Sequence, residues 1–146
     1  MTSSQKIFIG LAVLAAVGLP VYYKMRSHDV MPARESAASS EMLQLKNANE
    51  FNEFVNSDLS NLVVVKVSAV WCPPCQQLKP IYHDVAMQLR DKIKFAEIDI
   101  DSFDKREVLK VTGLPTVLMF KKGKEIARLE GFKTADQLKK EFALYA

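Results

Sequence analysis

The stretch Leu62-Val63-Val64-Val65-Lys66-Val67-Ser68-Ala69-Val70-Trp71-Cys72-Pro73-Pro74-Cys75 passes from a strand pattern straight into a helix start. Residues 62–67 form a β-branched run of the kind buried on both faces of a sheet. Two prolines then follow Cys72, and proline is accepted in a first helical turn, where its missing N–H would have no partner anyway. Residues 73–90 predict a helix with Leu78, Ile81, Val85 and Leu89 on its apolar face, and Pro80 is expected to kink it. Cys72 therefore falls at a helix N-terminus. Free N–H groups and the helix dipole stabilise a thiolate there, and the thiolate is the form that attacks a disulfide.

Working outward, residues 47–57 carry Phe51, Phe54 and Val55 at helical spacing behind a capping Asn47. Residues 93–99 read as a second central strand, and Asp104 to Val111 as a short helix. Gly113-Leu114-Pro115-Thr116 leads into a strand at Val117–Phe120, a turn at 121–124 and a partner strand over Glu125–Glu130. Thr134 and Gln137 predict a capping box that opens a last amphipathic helix with Leu138, Phe142 and Tyr145. The order is βαβ, hairpin, helix: an α/β fold with a mixed central sheet flanked by helices.

The N-terminus has a different character. Residues 7–23 carry no charge, with Lys6 before them and Lys24 and Arg26 after. At helical rise this run spans roughly 25 Å, the short end for a bilayer crossing. It reads as an uncleaved signal anchor, and a cleaved secretory signal is the other reading its composition allows. The expected organisation is a membrane or signal segment at 1–26, a flexible Ser/Ala/Pro linker at 27–42 and a redox domain at 43–146. Charge counts at the ends of the hydrophobic run lean toward a cytoplasmic domain.

The chain has 20 basic and 17 acidic residues, and from residue 41 onward the balance is 16 to 15. Without a basic stripe, nucleic-acid binding has no support. The two cysteines are too few for a disulfide framework, and with His28 and His83 they offer no zinc-ligand spacing. His28 falls in the linker, and His83 reads as an ordinary helix-surface residue. No metal and no cofactor beyond a Cys72–Cys75 disulfide is expected. Half of a metal site and a pair of inert core thiols are the other readings of a Cys-x-x-Cys spacing.

Val70-Trp71-Cys72-x-Pro74-Cys75, Lys79-Pro80, Ile98-Asp99-Ile100-Asp101, Gly113-Leu114-Pro115-Thr116, Phe120-Lys121-Lys122-Gly123 and Gly131 share their order and spacing with one family. From about residue 43 to its end the chain resembles thioredoxin. The resemblance implies a thiol–disulfide oxidoreductase with Cys72 as nucleophile and Cys75 as resolving thiol. It implies a cis-proline at Pro115, and substrate docking by Trp71, Leu114, Pro115, Gly131 and Phe132. Partners would be disulfide-bearing proteins and an electron donor, with a membrane protein as the expected donor. By analogy with tethered members the domain would be extracytoplasmic (periplasmic in a bacterium), with a cytoplasmic orientation as the alternative. A disulfide oxidase or isomerase, and a non-catalytic binding or assembly module, are the competing functions.

Two positions depart from the family pattern. Pro73-Pro74 replaces the common Gly-Pro, which removes an N–H near the active sulfur and stiffens the turn. Lys66 stands where thioredoxins usually bury an aspartate, and Glu97 stands where many bacterial relatives carry lysine. Strand parity places the two on adjacent strands, so a swapped ion pair beneath the cysteines is expected to tune the redox pair. An unpaired buried charge would be costly. The other reading is that Lys66 carries its ammonium out to the edge of the site.

Overall fold

The computed structural model describes residues 41–146. The hydrophobic segment at 7–23 and the linker up to residue 40 lie outside the described residues. Among the described residues no helix is long and apolar enough to cross a membrane.

Helix α1 (Ala48–Asn56) starts at Asn47, whose side chain accepts from the Glu50 N–H and satisfies one of the open first-turn donors. Strand β1 (Leu62–Ser68) follows, then α2 (Pro73–Leu89), β2 (Ile93–Asp99), β3 (Thr116–Lys121), β4 (Lys124–Glu130) and α3 (Ala135–Tyr145). The sheet order is β2-β1-β3-β4. β1 runs parallel to β2 and antiparallel to β3, and β3–β4 is an antiparallel hairpin. The hairpin turns on Lys122 (φ 53°) and Gly123 (φ 72°), the two consecutive positive φ values that suit a tight turn to the twist of its strands.

Side-chain alternation along β1 sorts two cores. Val63, Val65 and Val67 pack with Phe51 and Val55 of α1 on one face of the sheet. Leu62 and Val64 pack with Leu78, Tyr82 and Val85 of α2 and Leu138 and Phe142 of α3 on the other. α3 opens on the expected capping box, with Thr134 and Gln137 bonding reciprocally.

Three expectations change. Among the described residues β2 is the edge of the four-stranded ladder and not a central strand; beyond it lies only a single parallel bridge from Gln44 to Glu97. The helix expected over 104–111 shrinks to a 3-10 turn, Arg106–Leu109, because Lys105 and Lys110 on either side are left-handed (φ 50° and 49°) and close it off. The buried face of α2 is centred on Cys75, Leu78, Tyr82, Val85 and Ala86, while Ile81 and Leu89 sit partly buried on its flank.

Candidate active site

Cys72 is the N-cap of α2, in extended backbone (φ −93°, ψ 108°), with prolines filling the first two helical positions. Neither proline has an N–H. The first amide the helix offers is therefore that of Cys75, and it donates to Cys72 Sγ at 3.3 Å. The two cysteines are joined in a disulfide with Cα atoms 5.2 Å apart. Both are buried, in a small cluster with Ala69, against which Leu114 and Ile100 pack.

Across from the helix start, the Leu114–Pro115 peptide is cis. Thr116 Oγ1 donates to the Gly113 carbonyl at 2.7 Å, and the Gly131 N–H donates to the Pro115 carbonyl at 2.8 Å, so both flanks of this loop are held. A groove of about 480 Å³ runs between Trp71, Cys72, Pro73, Ile100 and Leu114. The Trp71 indole is 65% exposed, yet its Nε1 donates to Asp101 Oδ2 at 2.6 Å, which fixes the ring at the groove's rim. Pro115 and Gly131 do not line this groove, though the Gly131 N–H ties to the Pro115 carbonyl. Phe132 is exposed and does not line it.

Behind the cysteines is a second cavity of about 440 Å³, lined by Cys75, Lys66, Glu97 and Lys79 among others. Lys66 and Glu97 are Cα partners in the β1–β2 register, and Lys66 Nζ meets Glu97 Oε1 at 2.6 Å with both side chains buried. The same oxygen lies 2.7 Å from His83 Nε2, and Gln44 Nε2 donates to Oε2 at 2.7 Å. Burial alone would raise the Glu97 carboxyl, but the hydrogen bond and charge of Lys66, with Gln44 and His83, carry it below its ordinary value. Burial pushes the Lys66 ammonium down, against the pull of Glu97. Tyr82 walls this cluster: its ring lies 5.2 Å from Lys66 Nζ and its hydroxyl donates to the Val64 and Ala96 carbonyls.

The thioredoxin family profile matches residues 41–143. This chain belongs to the thioredoxin family. It is 39% identical over 92 residues to thioredoxin H2 of Arabidopsis thaliana, covering 62% of this chain and 66% of that one, just under two thirds of the relative's length. It is 35% identical over 98 residues to the thioredoxin of Chlamydia pneumoniae, covering 66% of this chain and 92% of that protein. The crystal structure of Fasciola hepatica thioredoxin superposes with a TM-score of 0.67 at 27% identity, covering 72% of this chain and all of that one. Family and closed cysteine pair together make the domain a thiol–disulfide oxidoreductase. Among the described residues no cluster of three or more His, Cys, Asp or Glu side chains could hold a metal ion.

Three residues of the thioredoxin site escape a reading of the sequence. His83 is a partner of the buried Glu97 and not a plain surface residue. It follows Cys75 by eight positions, close to two helical turns, and that spacing is the signal that could have placed it near the cysteine's face. Gln44 precedes the regular elements of the described residues and carries no local pattern. Asp101 stood within the Ile98–Asp101 motif, but nothing local ties it to an indole thirty residues away.

Proposed function

We propose that this thioredoxin is a membrane-tethered reductase of protein disulfides. The observation that carries the catalytic part is the position of Cys72: N-cap of α2, bonded to Cys75, and on the wall of an exposed groove. In the reduced protein the Cys72 thiolate, favoured by the helix terminus, attacks one sulfur of a substrate disulfide. The second substrate sulfur leaves as a thiolate and takes a proton, and a mixed disulfide forms. Cys75, one turn further in, loses its proton and attacks Cys72 Sγ. The Cys72–Cys75 disulfide closes, and the other substrate cysteine is released. Trp71 and Leu114 hold an extended substrate segment across the groove, the cis Pro115 turns the Leu114 backbone toward it, and the Gly131–Phe132 turn extends the docking surface outside the groove.

The tether is the uncharged run at 7–23, and residues 27–42 act as the leash. In our reading the domain works on the extracytoplasmic side, where reducing equivalents come from a membrane protein. The oxidase or isomerase reading uses the same atoms in reverse, and the reduction potential separates the two.

Trapping tests the catalytic reading. Cys75→Ser in the full chain should accumulate mixed disulfides with client proteins that dithiothreitol releases, and Cys72→Ser should form none. Equal trapping by both variants would overturn the assignment of roles. Labelling of Cys72 in intact cells by a membrane-impermeant maleimide tests the orientation: protection from the reagent overturns an extracytoplasmic domain.

A further inference from the structure

The chain crosses from the cavity behind the cysteines to the substrate groove between Val70 and Trp71. Ala69 and Val70 line the cavity, and Trp71 and Cys72 line the groove. Val70 and Trp71 are 72% and 65% exposed, so packing does not hold this tip of the loop. Its Trp71 side is tied to Asp101, in the segment after β2. Its Val70 side is tied to α2: Gln76 Nε2 donates to the Val70 carbonyl at 2.6 Å. The Gln76 backbone N–H also donates to the Cys72 carbonyl, at 3.1 Å. One residue thus gives two donors to the loop that carries Cys72. The helix start leaves this task to Gln76, because Pro73 and Pro74 have no N–H and the Cys75 N–H is taken by Cys72 Sγ.

We propose that the Gln76 side chain is a strap that keeps Cys72 within reach of Cys75 while no bond joins the two sulfurs. The inference rests on the reductase reading above and adds a positioning residue to it. In the closed disulfide the covalent link itself fixes the loop against α2. In the dithiol and in the mixed disulfide that link is gone. Gln76 follows Cys75 directly on α2, so its bond to Val70 fixes the loop relative to the attacking thiol. In the closing step a Cys75–Cys72 bond forms and the Cys72–substrate bond breaks. The electron pair leaves with the substrate sulfur, which ends as a free thiol, and the proton it gains balances the one Cys75 loses. A loop held in advance gives up less freedom when that bond closes. The Asp101 tie acts differently, since it anchors Trp71 to a segment that does not carry Cys75. Gln76 bonds loop backbone and adds no charge, so it acts on geometry and not on thiolate stability.

Equilibration of the full-length protein with mixtures of reduced and oxidised glutathione tests the strap. A protein dithiol and one glutathione disulfide give the protein disulfide and two glutathione thiols, so the equilibrium measures the effective concentration of Cys75 at Cys72. Gln76→Ala should lower it about threefold, in keeping with one hydrogen bond between neutral groups. Gln76→Met keeps the length and the helix preference of the side chain but has no donor, and should lower it equally. The Cys72 thiolate, titrated by alkylation rate against pH, should match the parent in both variants. The parental effective concentration in either variant would overturn the strap. So would a thiolate titration displaced along with it, because the effect would then be electrostatic. An unsubstituted protein that forms no Cys72–Cys75 disulfide from oxidised glutathione would instead sink the reductase reading.

Discussion

Lys66 and Glu97 face each other as Cα partners across the parallel β1–β2 ladder, and their side chains close to 2.6 Å in a site almost without solvent. Each charge is tolerable only because the other is there. Taking two ions out of water costs several kcal/mol apiece, offset by their attraction and by the added bonds from Gln44 and His83. The pair faces α2, on the side of the sheet that carries the cysteines, so charge below the active site is set by sheet register.

Breaking the pair from one side should be severe, and replacing both partners should not. Glu97→Gln leaves a buried ammonium and should cost ~3–5 kcal/mol, whereas Lys66→Met with Glu97→Leu should recover most of that loss. Urea unfolding of the oxidised protein measures both. A double variant as unstable as the single one would contradict this account. In the reduced protein Lys66→Met removes the cation behind the pair, so thiolate formation should shift to higher pH, and an unchanged thiolate titration would show that Lys66 does not tune the cysteines.

Pro73 leaves Cys72 Sγ with the Cys75 amide as its first-turn donor. Pro73→Gly restores an N–H at the helix start, so the Cys72 thiolate should form at lower pH and the couple should become more oxidising. Alkylation rate against pH reads the first effect, and equilibration with glutathione the second. No movement in either would remove helix-terminus amides as the cause of thiolate stability.

Trp71 is the chain's single tryptophan, so its fluorescence reports on one site. Asp101→Ala frees the indole from its 2.6 Å bond. Loss of a bond worth about 0.5–1.5 kcal/mol should lower emission anisotropy and raise KM for protein disulfides a few-fold, with kcat little changed. An unaltered KM would mean that the orientation of Trp71 does not shape the docking groove.

Gly123 combines a positive φ of 72° with a Cβ position that would collide with the Asn56 side chain. Gly123→Ala should destabilise by about 1–2 kcal/mol from the left-handed backbone alone, and by more from the clash. Adding Asn56→Ala should return the second part only, as thermal melts of the single and double variants would show.

Acid should destabilise the domain through two carboxylates. The Asn61 N–H and side-chain amide, with the Ser60 N–H, hold the Asp58 carboxyl at about 2 against an ordinary 3.8. Glu97 is also held below its ordinary 4.5. In both cases the unfolded chain binds more protons at low pH, so their stabilisation is full above the ordinary values and is lost as pH falls through the lowered ones. Unfolding midpoints should therefore fall with pH from about 4.5 toward 2, and less steeply in Asp58→Asn. A flat profile would contradict this.

Much of this molecule is written in local pattern. The β-branched run at 62–67, the cysteines at a proline-marked helix start, the Lys122-Gly123 turn and the Thr134–Gln137 box each lie within a few residues, where period, caps and turn chemistry act directly. Family spacing extended this to Pro115 and Trp71, and strand parity brought Lys66 opposite Glu97. Tertiary packing alone decided that β2 ends the described ladder, that the segment after it is a 3-10 turn, and that His83 from α2 and Gln44 from the N-terminal bridge join Lys66 on the same carboxylate. Those contacts join elements far apart in the chain. They depend on how helices seat against the sheet to within a hydrogen bond's length, and local periodicity carries no record of that distance.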